Sequence, residues 1–178
     1  MDLRATQTVV STASAAAVLI ATTVWGLTPW LVWNTSGSAP IGLYRVQAVG
    51  KLMVNDLALV FPPEPLATFL ADAGHVPRGV PLLKRVRAVS DQTVCRIGYR
   101  IMIDGVQVGQ ALERDSRGRS LPDWQGCRHL ANDEVFLMNL HPHSMDGRYF
   151  SVLPISSIVG RAEPLWTWAD DSARRLPP

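Results

Sequence analysis

Ile101-Met102-Ile103-Asp104-Gly105-Val106-Gln107-Val108 consists of two short apolar runs joined by Asp-Gly. A two-residue hairpin turn needs positive φ at its centre, and Asp-Gly supplies it. The stretch therefore reads as a β-hairpin, and its neighbours read in the same way. Val54 to Phe61 is a strand that stops at Pro62-Pro63, where the ladder loses its donors. Leu82 to Val89 (LLKRVRAV) and Glu134 to Asn139 are further strands. Tyr149 to Pro154 and Ile158 to Ala162 complete the set. Leu66 to Ala73 (LATFLADA) is the one short helix, ending near Gly74. Residues 113–126 (ERDSRGRSLPDWQG) are polar, rich in turn formers and read as a loop. Many short strands with Gly and Pro turns imply a mainly β, antiparallel domain of barrel or sandwich type.

The 178-residue chain is long enough for one anchor and one domain with its own core. Its 17 Lys and Arg against 15 Asp and Glu create no large field. That argues against nucleic acid as a partner, because a phosphate backbone needs a concentrated basic surface. The charges are unevenly placed, and none occurs between Arg4 and Arg45. Val9 to Trp33 is uncharged and mostly apolar, and a helix of about 20 such residues crosses a bilayer core. Trp25, Trp30 and Trp33 cluster at its end, where indole rings favour the headgroup layer. Residues 1–33 are thus expected to be an N-terminal tail and transmembrane helix, and residues 34–178 an exported domain. A cleaved secretory leader and a buried core helix are the alternatives. Arg4, partly offset by Asp2, weakly favours a cytoplasmic N-terminus, which places the domain in the periplasm or another exported compartment. Cys95 and Cys127 suit an oxidising compartment. A bridge between them would be worth roughly 3–4 kcal/mol on loop entropy. Two buried free thiols are the other possibility.

Chemistry centres on Ser38, which follows the apolar segment in Ser36-Gly37-Ser38-Ala39-Pro40. Locally, Ser and Gly beside Pro signify only a turn. The position adds weight, since a nucleophile at a membrane exit meets other tethered chains as they emerge. On an extended strand Ser36 would share a face with Ser38, so one hydroxyl could attack while the other donates to a developing oxyanion. A serine needs a base. Lys84 lies in an alternating strand with Leu82 and Val86, and burial on that face would lower its pKa. The bland reading is an edge-strand lysine that discourages pairing. His143 competes as a base, with Asp146 completing a His–Asp–Ser set. His141 and His143 lack the further ligands a metal needs, so no metal or other cofactor is expected.

Three blocks in order resemble the signal peptidase I clan, and within it the TraF-type pilin-maturation peptidases of conjugative transfer systems. They are Asn34 to Tyr44 (NTSGSAPIGLY), Leu82 to Val86 (LLKRV), and Ser144 to Phe150 (SMDGRYF) followed by Ile158 to Ala162. The resemblance implies a signal-peptidase-like β domain in the periplasm, behind a single-pass anchor in the bacterial inner membrane. It implies Ser38 as nucleophile, Lys84 as general base, and Ser36 with the Ser38 amide as oxyanion donors. Ser144 would orient the Lys84 amine, and Asp146 and Arg148 would form a supporting ion pair. Asp56 resembles the structural aspartate before the neighbouring strand. The substrate would be an exported pilin or similar precursor with small residues at the first and third positions before the cut. Proteins of the conjugation machine would be further partners. Two features depart from general signal peptidases, and the Ala39-Pro40 substitution with its Pro40-Ile41-Gly42-Leu43-Tyr44 continuation favours the conjugation branch. Ala39-Pro40 replaces the usual methionine after the nucleophile, and Met138-Asn139-Leu140 stands where they carry Gly-Asp-Asn. The rival expectation is a non-catalytic, membrane-tethered assembly factor of a conjugation or secretion machine.

Overall fold

The computed structural model describes residues 31–168. The anchor expected within residues 1–33 lies outside them, apart from its last three residues, and so does the tail from Asp170. Leu31–Asn34 forms a strand, β1. The remaining elements are β2 (Ile41–Gln47), β3 (Leu57–Val60), α1 (Leu66–Asp72), β4 (Leu82–Ala88), β5 (Thr93–Ile97), β6 (Arg100–Ile103) and β7 (Val106–Gln110). After them come β8 (Gly126–His129), β9 (Glu134–Leu137), α2 (Gly147–Phe150), β10 (Leu153–Pro154) and β11 (Ile158–Trp168). Seven strands form one sheet in the order β1-β2-β11-β3-β4-β9-β10, and four form another in the order β7-β6-β5-β8. The strand pairs are antiparallel, as expected of a mainly β domain.

β4 shows how the sequence builds this core. It lies between β3 and β9, so both its edges are paired. Leu82 and Val86 face a cluster with Ala58, Val60, Leu70 and Val135. Leu83 faces the opposite side, against Ala39, Tyr44 and Ala162. The strand is thus apolar on both faces near its start, and Lys84 is drawn inside with it. The hairpin of β6 and β7 turns at Asp104-Gly105, both at positive φ. With β5 it supplies Val94, Ile101 and Ile103 to a second cluster, closed by Ala88 and Phe136 from the large sheet and by Met138 just after β9. Cys95 and Cys127 form a disulfide between paired residues of β5 and β8.

Two expectations need correction. Tyr149 to Pro154 is not one strand. Asp146 caps a short helix by accepting the Arg148 backbone N–H at 3.2 Å, and Ser151 at φ 63° ends it. Only Leu153–Pro154 is extended, as β10. Aromatic and apolar residues suggested a strand, but the cap satisfies an otherwise orphaned donor, and that local bond wins. The last strand, in turn, runs well past Ala162. Pro164 falls where the β2–β11 register shifts, the kind of bulge at which a proline costs no ladder bond.

Gly147 begins α2 in a tight place. A Cβ there would stand 2.5 Å from the Phe136 ring and 2.7 Å from the Leu137 carbonyl oxygen. Gly147→Ala should therefore cost about 1–3 kcal/mol, the range for overpacking against backbone. Its urea midpoint checks this, and an unchanged midpoint would show that β9 yields freely.

Candidate active site

Lys84 is 4% exposed. Its amine donates to the Ser144 hydroxyl at 2.8 Å. Burial removes hydration from the ammonium and lowers the pKa to about 8; the Asp146 carboxylate opposes that fall and Arg148 adds to it. A useful fraction of the amine is therefore neutral near pH 8, which an ordinary lysine does not achieve.

Ser144 is held by what lies beneath it. Asp146 and Arg148 are 0% and 3% exposed and pair in a fork, Nε to Oδ1 at 2.9 Å and Nη2 to Oδ2 at 2.8 Å. The same guanidinium donates to the carbonyls of Asn139, His141 and Ser144 at 3.3, 2.7 and 3.3 Å. One buried cation thus gathers the loop that carries Ser144. Arg96, itself buried, donates to the Arg148 carbonyl at 2.6 Å and braces the arrangement from the small sheet.

Ser38 sits in the turn between β1 and β2. The expectation that Ser36 and Ser38 share a strand face is incorrect, because the chain bends there. Their hydroxyls still meet, at 3.2 Å. Asn34 makes this possible. Its amide donates to the carbonyls of Ser36, Ala39 and Pro40 at 3.0, 3.1 and 3.0 Å. Its oxygen accepts from the Ser36 backbone N–H at 3.1 Å and hydroxyl at 3.0 Å. Tyr44, fully buried, donates its hydroxyl to the Pro40 carbonyl at 2.6 Å. A turn whose carbonyls are tied by side chains holds its serines in place without a ladder.

Asn139 links the two halves. Its amide donates to the Leu83 carbonyl at 3.0 Å and to the Ser38 hydroxyl at 3.4 Å, and its oxygen accepts the Arg85 N–H at 2.8 Å. Ser38 bonds to Ser36 and Asn139 and makes no hydrogen bond to Lys84, whose amine is turned to Ser144. Ser36, Ser38, Lys84 and Ser144 nevertheless line one cleft of about 430 Å³. Val32, Leu59, Val80 and Leu82 give it apolar walls.

The His–Asp–Ser alternative is not assembled. Asp146 is occupied by Arg148 and by the Asn139 backbone N–H at 3.0 Å. His143 lines the cleft, but its backbone N–H is the group that bonds to His141. Among the described residues no three His, Cys, Asp or Glu side chains converge as metal ligands. Asp56 precedes β3 and accepts the Met53 N–H at 2.9 Å, a structural part. Sequence reasoning missed Asn34, Asn139 and Arg96. Asn34 carried a signal, since an asparagine at a strand end commonly ties the turn that follows, whereas the Asn139 side chain bonds only to the distant Leu83, Arg85 and Ser38 and carried none. Arg96 carried none either.

The family described as "Signal peptidase, peptidase S26" matches residues 3–168. The chain belongs to this family. A protein of Sinorhizobium fredii described as a probable conjugal transfer protein TraF is 35% identical over 146 residues, covering 76% of this chain and 77% of that one. The conjugal transfer protein TraF of Agrobacterium fabrum is 33% identical over 163 residues, covering 85% and 90%. This S26 chain therefore lies in the TraF-type, conjugative-transfer branch of a serine-peptidase family. A signal peptidase I from Enterococcus faecalis aligns at 16% identity with a TM-score of 0.39 over 64% of this chain and 98% of that one.

Proposed function

We propose that the chain is a membrane-anchored serine endopeptidase that matures an exported pilin precursor for conjugative transfer. Ser38 is its nucleophile and Lys84 its general base. The supporting observation is the buried Lys84 amine, with a pKa of about 8, on the wall of the cleft that also holds Ser38. The names of the relatives above supply the conjugative setting, and the apolar run from Val9 up to β1 supplies the anchor.

The reaction starts with a rotation of the Ser38 side chain away from Ser36 and Asn139 towards Lys84, an ordinary rotamer change. Catalytic hydrogen bonds often tighten only once substrate is bound. Ser38 Oγ then attacks the scissile carbonyl and passes its proton to Lys84 Nζ. Ser144 keeps the amine aimed. The Ser36 hydroxyl and the Ser38 backbone N–H receive the oxyanion. The C–N bond breaks as LysH⁺ protonates the departing amine, leaving an ester on Ser38. Water yields a trimmed chain, whereas the amino end of the same substrate yields a cyclic one. Small residues at the first and third positions before the cut suit a substrate running extended along the cleft.

Mass spectrometry of a co-expressed pilin precursor tests the reading. Wild-type protein should shorten the precursor and Ser38→Ala should leave it intact. A product one water lighter than the trimmed chain would show cyclisation. Unchanged processing by Ser38→Ala would remove Ser38 as nucleophile and favour the non-catalytic assembly factor.

A further inference from the structure

A second cavity, of about 190 Å³, opens beside the cleft. His75, His143 and Met145 line both, so the two share a wall. The polar loop 113–126, which plays no part in the chemistry above, forms most of the far side. That loop is folded around Asp115. The Asp115 carboxylate accepts the backbone N–H groups of Arg117 and Arg119 at 2.8 and 2.9 Å. It also takes the Arg119 guanidinium, Nε at 2.7 Å and Nη2 at 2.6 Å. Arg119 reaches on to the Ala73 carbonyl at the end of α1, which fastens the loop to the body of the domain.

The charges in this cavity do not cancel. Asp115 neutralises Arg119. Arg117 is exposed, lines the cavity and, among the described residues, its guanidinium makes neither an ion pair nor a hydrogen bond. Its backbone N–H fixes its place in the loop while its charge stays available. Burial lowers the His75 pKa, with Arg119 and Arg117 adding to the fall and Asp115 opposing it, which favours the uncharged ring and its N–H donor. The Ser116 hydroxyl is a further donor on the wall. A free guanidinium with neutral donors beside it suits a planar anion, and carboxylate is the planar anion of a peptide. An ammonium would meet Arg117, and an apolar side chain would leave these donors without partners.

We propose that this cavity binds a carboxylate of the peptide substrate, either an acidic side chain or the free C-terminus, while the reacting bond lies at Ser38 in the adjoining cleft. This rests on the peptidase reading. It makes Arg117 a specificity residue in a chain whose cleft otherwise selects small side chains.

Binding is the readout that separates the two ideas, because it needs no turnover. The full-length chain in detergent micelles, made inert by Ser38→Ala, would be titrated with dye-labelled peptides that carry alanine at the first and third positions before the bond. One series places glutamate at successive positions on either side of the bond, and a matched series has glutamine. Each is made with a free and with an amidated C-terminus. At least one carboxylate-bearing peptide should bind about tenfold or more tightly than its neutral counterpart, the size of one charge-assisted hydrogen bond. Preference for glutamate over glutamine would identify a side chain, and preference for the free acid over the amide a chain end. Arg117→Ala should collapse the acid-to-neutral ratio to about 1, Arg117→Glu should invert it, and Arg117→Lys should restore much of it. Equal binding of all forms, or a ratio untouched by Arg117→Ala, would overturn the proposal. If carboxylate preference holds but the chain with Ser38 intact cuts none of these peptides, the pocket stands and the peptidase reading falls.

Discussion

Lys84→Met is expected to lose precursor processing by about 10²–10⁴-fold, the usual worth of a positioned general base, while the folded protein gains stability at neutral pH. Methionine matches the volume and cannot carry a proton. Lys84→Arg should be equally inactive, because a guanidinium keeps its proton. The gain in stability follows from the pKa of Lys84, which is about 8 in the fold against 10.5 for an ordinary lysine. Between those values the unfolded chain holds the proton more often than the native one, so wild-type stability rises with pH across that window. The rise amounts to at most about 3 kcal/mol, and below pH 8 the whole penalty is present. Methionine removes the penalty and leaves Ser144 without its donor, at a pH-independent cost of about 1 kcal/mol. The variant should therefore be more stable than wild type at pH 7, and the difference should shrink and reverse towards pH 10.5. Urea unfolding at several pH values checks it; a difference that stays constant with pH would mean that Lys84 is not buried as a charge. Wild-type processing should likewise rise as pH climbs through about 8, where the amine becomes neutral.

Asp146→Asn carries the second large effect. Asp146 and Arg148 are both buried, and the fork between them is the only ion pair among the described residues with both side chains under 5% exposed. Such a pair adds little net stability, yet removing one member strands the other charge, at about 3–5 kcal/mol. Asparagine keeps the shape and can still cap α2 through one oxygen, but its NH2 cannot accept the Asn139 N–H and the Arg148 guanidinium that Oδ2 takes, so the loss combines the charge with those acceptors. Processing should fall with it, since the Arg148 guanidinium also gathers Asn139, His141 and Ser144 under the Lys84 amine. The double variant Asp146→Asn/Arg148→Met should recover part of the stability, and a double-mutant cycle measures the coupling. Additive losses would show that the two side chains do not act as a pair.

Parts of this architecture were readable from local pattern. Asp104-Gly105 and the alternating residues around it specify the β6–β7 hairpin without help from the rest of the chain. Leu82 to Val89 reads as a strand, and β4 covers all but its last residue because its apolar positions serve two clusters. The strand β8 did not declare itself, since all four of its residues are exposed and none alternates. Its place beside β5 is a matter of pairing. β2 was hidden by Pro40 and Gly42, which look like a turn. Gly42 is there because the Trp166 carbonyl oxygen would lie 2.1 Å from any Cβ.

The candidate site divides in the same way. Ser36, Ser38 and Lys84 were candidates by residue type and position, but the full set with Ser144, Asp146 and Arg148 could be named only through the resemblance of their three blocks to the signal peptidase clan. What each of them touches could not be named at all. Lys84 meets Ser144 across 60 residues, and Ser38 meets Asn139 across 101. Residue patterns report burial and period, which are local, whereas a hydrogen bond over such distances exists only once sheets and loops have packed. The sequence by itself determined the β character of the domain and the chemical identity of its candidate groups. The tertiary structure alone decided that Lys84 is enclosed enough to lose its proton through about pH 8, that two asparagines hold the serine turn, and that a loop arginine beside the cleft has no charge partner among the described residues.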